Sequence, residues 1–154
     1  MERQKFDSWP QNNMNLELTS SEKKQLSSLK FSKIKESWKE EIVFDRVDGL
    51  LKTPFVKDFL SARDLNWELV SNAEILRFGT TNMHTDYAPN SNVRSLLVFL
   101  YGEGELAAYT DSCRKIEYFD LKKHSVALFN PSKPHAFVNK NKTLCWAIVA
   151  DLKI

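Results

Sequence analysis

Glycine and proline are scarce in this chain, 4 and 5 among 154 residues, which excludes collagen-like repeats and Gly/Pro-rich disordered composition. Cysteine is scarcer. Cys113 and Cys145 lie far apart and in no Cys-x-x-Cys spacing, so neither a thiolate zinc site nor a disulfide framework is expected. No apolar run approaches the roughly 20 residues of a membrane-spanning helix. The opening Met-Glu-Arg-Gln-Lys-Phe-Asp-Ser-Trp-Pro lacks the apolar core of a secretory signal, so the expectation is a soluble, cytoplasmic protein with no membrane partner. An excess of one charge is also missing, Lys+Arg numbering 22 against 20 Asp+Glu. That balance argues against a nucleic-acid stripe and leaves small molecules, peptides and proteins as partners. Histidine occurs three times, at His84, His124 and His135, and any imidazole chemistry must come from these.

The residues that are present describe one globular domain over 1–154, with 42% apolar and 27% charged positions and enough length for a sizeable core. Residues 1–18 read as a polar, Asn-rich arm. Thr19-Ser-Ser-Glu22 has capping-box spacing ahead of a Lys-rich stretch carrying Leu26, Leu29, Ile34 and Trp38, so one or two amphipathic helices are expected there. The lysines at 23, 24, 30, 33, 35 and 39 are a solvated helix surface before they are a docking face. Glu41–Asp45 suggests a strand, and Thr53-Pro54 opens a short helix with Phe55, Val56, Phe59 and Leu60. From there strand signals dominate, at 67–78, 93–101, 105–111, 115–120, 125–129, 135–139 and 143–150. Seven short strands at that spacing predict a mainly β fold with N-terminal helices, built as a sandwich, barrel or jelly roll.

His84-Thr-Asp86 is the most informative tripeptide. On extended backbone, residues i and i+2 project from one face, so an imidazole and a carboxylate leave the chain together as two-thirds of a facial metal site. His135 is well placed to supply a third ligand from another strand, and a His-x-Asp…His set suits non-haem Fe(II) because it leaves coordination positions open. Alone the tripeptide says little: three histidines and nine aspartates yield a chance His-x-Asp about 0.2 times per chain. A lone buried histidine is commonly a hydrogen-bonded core residue, and His124, within Lys-Lys-His-Ser, reads as an exposed strand-edge residue.

The flanks add context. In order come Glu74-Ile-Leu-Arg-Phe-Gly79, His84-Thr-Asp86, Arg94-Ser-Leu-Leu-Val-Phe-Leu-Tyr101, Gly102-Glu-Gly-Glu-Leu106 and Val126-Ala-Leu-Phe129 ahead of His135. This series, over about residues 68–150, resembles the Fe(II)/2-oxoglutarate-dependent dioxygenases, and within them the prolyl-4-hydroxylase-like branch. The resemblance implies a double-stranded β-helix of jelly-roll or cupin-like form, with residues 1–66 as arm and supporting helices and 67–154 as the catalytic core. It implies Fe(II) on His84, Asp86 and His135, with 2-oxoglutarate and O2 as cosubstrates. The reaction implied is hydroxylation of a C–H bond in an amino-acid or peptidyl, prolyl-like substrate, with release of succinate and CO2.

Two departures from the family's pattern stand out. Its basic partner for the far carboxylate of 2-oxoglutarate falls about ten residues after the distal histidine, and here that position is Cys145. Lys142 is the first substitute and Lys140 the reserve, while Arg94 is either a further contact to an acidic cosubstrate, a partner of a ligand carboxylate, or an exposed strand-start residue. The second departure is Phe78, where relatives often carry a tyrosine; Tyr101 or Tyr109 are the candidates to compensate. Tyr87, Asn90 and Asn92 follow the ligands as entrance residues or as a plain polar loop. These departures keep open a cupin-like module that binds a metal or small ligand without oxygenase turnover. The Lys-rich N-terminal region leaves a protein-interaction module as a third reading.

Overall fold

The computed structural model describes residues 16–27, 41–42, 46–47, 50–71, 73–87, 91–109, 116–140 and 145–154. The first helix, α1, runs Ser20–Ser27 and begins as the capping box requires. The Glu22 amide donates to Thr19 Oγ1 at 3.1 Å, and the Thr19 amide donates to Glu22 Oε1 at 2.8 Å, so two otherwise orphaned donors are satisfied reciprocally. Leu26 is buried while Lys23 and Lys24 are exposed, a solvated lysine face. The remaining part of the expected helical region, with Leu29, Ile34, Trp38 and the lysines from 30 to 39, lies outside the described residues, as does Cys113.

Short strands β1 (Glu41–Ile42), β2 (Arg46–Val47) and β3 (Leu50–Leu51) precede α2, Lys52–Ala62. The helix starts two residues earlier than the Thr53-Pro54 signal predicts, and Thr53 Oγ1 accepts the Ala73 amide at 3.2 Å. It ends with Asp64 in the left-handed region at φ 55°. The Asp64 amide donates to Ser61 O and the Leu65 amide to Leu60 O, the paired closure of a Schellman end.

Arg63 docks α1 on α2. Its guanidinium donates to both carboxylate oxygens of Glu22, at 2.9 and 2.8 Å, and to the carbonyls of Phe59 and Glu17. It also lies 3.6 Å from the Phe59 ring centroid. Burial works against the Glu22 charge, but Arg63 and the Thr19 amide outweigh it and hold the carboxyl below its usual range. A depressed carboxyl stabilises the fold above its unfolded pKa, about 4.3, and that contribution fades as pH falls through the lower folded value. Arg63→Ala is expected to cost about 3 kcal/mol in urea unfolding at pH 7, and less at pH 3. Equal losses at both pH values would show that the ion pair is not what docks α1.

The remaining strands are β4 (Glu68–Leu69), β5 (Glu74–Phe78), β6 (Val93–Tyr101), β7 (Gly104–Ala108), β8 (Glu117–Leu121), β9 (Val126–Phe129), β10 (Ala136–Asn139) and β11 (Cys145–Lys153). The expected strand over 67–78 is thus two strands, β4 and β5, both pairing with β11. The larger sheet has the order β1-β5-β11-β6-β9, and the smaller β10-β7-β8. The segment carrying His84 adds to the smaller sheet through an antiparallel bridge to His135. Apart from the β7–β8 hairpin, the chain from β5 onward alternates between the two sheets. That alternation defines a double-stranded β-helix, mainly β with helices packed outside.

Period-two alternation divides the core. From β6, Leu96, Val98 and Leu100 join Trp146, Ile148 and Leu152 of β11 against Phe55, Val56 and Phe59 of α2. The intervening residues, Leu97, Phe99, Cys145 and Ala147, face inward with Leu106, Phe129 and Phe137. Each sheet therefore presents one apolar face to the barrel, and the larger sheet presents a second to the helices. Gly102 takes φ 96° in the β6–β7 turn, a conformation that favours glycine. Gly104 is constrained differently: a Cβ there would lie 2.6 Å from the Phe137 ring and 2.9 Å from the Val138 carbonyl oxygen. Because the carbonyl cannot swing away as a side chain would, Gly104→Ala is expected to lose about 1–3 kcal/mol in chemical denaturation. An unchanged midpoint would mean that β10 yields at no cost.

Candidate metal centre

The ligand-bearing segment, residues 79–87, contains little regular structure and is held against 131–139. The His84 amide donates to His135 O at 3.0 Å and the His135 amide to His84 O at 2.9 Å. The Asp86 amide donates to Pro131 O and the Thr81 amide to Phe137 O, each at 2.9 Å. Thr81 Oγ1 accepts the Phe137 amide, and Thr80 Oγ1 accepts that of Asn139. These contacts place His84 and His135 directly opposite one another, with ring centroids 4.4 Å apart. Asp86, two residues on, turns its carboxylate to the same side.

The donor atoms of His84, Asp86 and His135 all lie within 4.8 Å of one another. His135 Nε2 is 3.0 Å from Asp86 Oδ2, and His84 Nε2 is 3.9 Å from Asp86 Oδ1. Each imidazole is oriented by the backbone two residues before it, His84 Nδ1 lying 2.7 Å from Asn82 O and His135 Nδ1 3.0 Å from Lys133 O. A carbonyl accepts only, so each Nδ1 is placed to donate to it and both Nε2 atoms face the carboxylate, His135 Nε2 within hydrogen-bonding distance of Asp86 Oδ2, an orientation that suits metal ligation. His135 is buried, whereas the side chains of His84 and Asp86 are 44% and 52% exposed. The donor set is one carboxylate and two imidazoles on one side of an open space, and it fits a divalent transition metal with free coordination positions.

Behind the three donors lies a cavity of about 200 Å³. Leu97, Leu106, Phe129 and Phe137 form its apolar part, and Glu74, Ser95 and Asp151 bring polar groups from the larger sheet. Asp151 is held from two sides, Ser95 Oγ donating to Oδ1 at 2.6 Å and Tyr87 Oη donating to Oδ2 at 2.5 Å. Burial, reinforced by the Asp151 carboxylate, pushes the Tyr87 hydroxyl well above its usual pKa. None of these larger-sheet residues was expected from sequence. The available signal was phase: Glu74, Ser95 and Asp151 are polar residues at inward positions of strands whose other inward residues are apolar.

Of the basic residues expected to bind a cosubstrate, the two that are described, Arg94 and Lys140, do not converge here. Arg94 is buried on β6 in phase with Leu96 and Val98, the helix side of the sheet, and donates to Ser91 O and Val93 O. Its one-residue offset from Ser95 turns it away from the cavity. Lys140 is exposed, with Nζ 3.3 Å from Asp120 and 3.7 Å from Glu105, so surface carboxylates hold it outside the barrel. Lys142 lies outside the described residues. Cys145, at the family's basic position, is buried with Phe99 and Phe137, and burial raises its thiol pKa.

Tyr101 packs with the helix-side cluster and Tyr109 lies beneath Lys133 Nζ, so neither lines the cavity. Asn92 is exposed and donates to Ile154 O, while Asn90 is outside the described residues. His124 is not on a strand edge but in the β8–β9 turn, at φ 72° and half-buried. Its burial, with Lys123 and Lys23 nearby, lowers its pKa.

No protein-family model matches the sequence, and no curated protein matches it. Among solved structures the chain is similar to a predicted oxalate decarboxylase from Thermotoga maritima, at 12% identity over 54% of this chain and 66% of that chain, with a TM-score of 0.40. It is similar to the cupin domain of Schizosaccharomyces pombe Cnp3, at 13% identity over 54% and 56% of the two chains, TM-score 0.41. A third is the Cupin_2 domain of an XRE family transcriptional regulator from Enterobacter cloacae, at 15% identity over 55% and 92%, TM-score 0.40. The chain spans less than two thirds of the length of the first two. The strand order above is that of a cupin or jelly-roll double-stranded β-helix, and the His-x-Asp…His cluster sits where its two sheets meet. Among the described residues, no helix is long and apolar enough to cross a membrane.

Proposed function

We propose that His84, Asp86 and His135 hold one divalent metal ion, Fe(II) being the ion that this donor set suits, and that the protein is a metal-dependent enzyme acting on a small molecule in the adjoining cavity. The observation that carries this reading is the pair of Nδ1-to-carbonyl contacts, which direct both Nε2 atoms into the space that the Asp86 carboxylate also faces. When bound, such an ion supplies Lewis-acid and redox chemistry toward O2 and substrate. The chain's own residues orient the reactant. Leu97, Leu106, Phe129 and Phe137 exclude water from its apolar part, while Asp151 and Glu74 face groups that donate hydrogen bonds. An amino acid or the N–H of a peptide is a ligand of that character, and oxidation of a C–H bond in such a substrate is the activity to assay first.

2-Oxoglutarate does not fit the described lining of the cavity. Glu74, Asp86 and Asp151 bring carboxylates, and among the described residues around it there is no lysine or arginine for a second cosubstrate carboxylate. That observation favours the second reading, a cupin-like module that binds a metal and a small ligand without 2-oxoglutarate-driven turnover. Anaerobic titration with Fe(II), followed by 2-oxoglutarate, separates the two. A visible charge-transfer band on adding 2-oxoglutarate, with succinate released on admitting air, would establish the dioxygenase and make Lys142→Ala the next variant, expected to raise the 2-oxoglutarate requirement. Fe(II) binding with neither signal would exclude 2-oxoglutarate-driven turnover while keeping the metal site. Absence of Fe(II) binding would defeat both.

A further inference from the structure

The contacts described above for the ligand-bearing segment run mainly to residues 131–139, in or beside the smaller sheet. The Tyr87 hydroxyl reaches instead to Asp151 on β11 of the larger sheet, and Ser95 on the neighbouring β6 holds the other oxygen of the same carboxylate. Asp151 and Ser95 are directly opposite one another in the β6–β11 register. The chain from Asp86 through Tyr87 to Asp151 and Ser95 therefore ties a metal-ligand candidate to the opposite wall of the cavity.

Building on the metal reading, we propose that Tyr87, Asp151 and Ser95 form a positioning network that holds the His84–Asp86 segment at ligating distance from His135 by fastening it across the mouth of the barrel. Three observations make the network more than a surface bond. Both oxygens of Asp151 are engaged, at 2.6 and 2.5 Å, so its carboxylate cannot rotate without breaking a contact. Ser95 is buried and Tyr87 half-buried, so water competes poorly for their hydroxyls. His84 and Asp86 are themselves about half exposed, so burial does not hold them in place as it holds His135. Two of the three donors thus depend on tethers, and Tyr87, the residue after Asp86, supplies the one described tether to the larger sheet.

Tyr87→Phe removes only the hydroxyl. With Co(II) as probe, the full chain is expected to show d–d absorption with a measurable Kd, and Tyr87→Phe to bind Co(II) 10–100-fold more weakly, as loss of a group that orients metal ligands does. Its d–d band should also change in position or intensity, because the donors are no longer held in one geometry. A merely structural role would lower metal-free stability in urea and leave the band of the folded protein unchanged. Ser95→Ala serves if Tyr87→Phe fails to fold, and Ser95→Thr, which keeps a hydroxyl, should restore most of the affinity. Wild-type Co(II) binding with unaltered affinity and spectrum in Tyr87→Phe or Ser95→Ala would overturn the network while sparing the metal site. A wild type that binds no Co(II) would remove the metal site, and the network's role with it.

Discussion

His84→Ala and His135→Ala are expected to lower Fe(II) or Co(II) affinity by at least about 100-fold, since each removes one of three donors and a facial site holds its ion through all three. His124 is the internal comparison, but alanine is a poor choice there. At φ 72° a left-handed backbone costs most L residues about 1–2 kcal/mol and is tolerated by asparagine, so His124→Asn removes the imidazole with less strain. It should bind metal like the wild type. Titration by calorimetry or Co(II) absorbance reads all three variants. Equal loss in His124→Asn would mean that the wrong imidazoles were chosen, and full binding in His84→Ala would mean that Asp86 and His135 suffice or that the ion sits elsewhere.

The second large effect is expected far from the donors. Trp146 is 1% exposed, the largest of the fully buried side chains among the described residues, and lies on β11, which pairs with β4, β5 and β6. Its side chain belongs to the helix-side cluster with Phe55, Phe59 and Ile148, so truncation opens a void between sheet and helices that rigid strands cannot close. Trp146→Ala should lose about 3–5 kcal/mol in urea unfolding, a large share of the about 5–15 kcal/mol typical of a domain. Any protein that remains folded should bind metal normally, because Trp146 faces away from the cavity. A loss below about 1 kcal/mol would show that the helices repack freely over the sheet.

Local chemistry explains why much of this molecule was legible before its fold was known. The capping box at Thr19–Glu22 closes as its spacing demands because both hydrogen bonds span three residues. The strands from β6 to β11 fall near their expected positions because runs rich in β-branched, aromatic and leucine residues, bounded by turn residues, are a property of consecutive residues. His84 and Asp86 are likewise two residues apart, so extended backbone alone puts them on one side. His135 is one of only two further histidines and the order of motifs around it supports its choice, but its approach to His84 is a tertiary fact.

The residues whose surroundings the sequence does not reveal share a cause. A strand-start position leaves Arg94 open to a cosubstrate, a ligand carboxylate or solvent, because which face of a strand is inward depends on the sheet packed against it, and a one-residue offset reverses the answer. Distance along the chain from His135 makes Lys140 a reserve candidate, whereas Asp120 and Glu105 hold it on the outer surface. Asp151 escaped notice because it sits 65 positions beyond Asp86, as their residue numbers show, and its partners Tyr87 and Ser95 belong to two other segments. By itself the sequence determined what neighbours along the chain can enforce: the α1 cap, the strand-rich second half and the His-x-Asp pair. Only the tertiary structure decided what lies opposite what, bringing His135 to that pair, turning Arg94 outward and lining the cavity with carboxylates, because those placements depend on strand pairing and sheet stacking between residues distant in sequence.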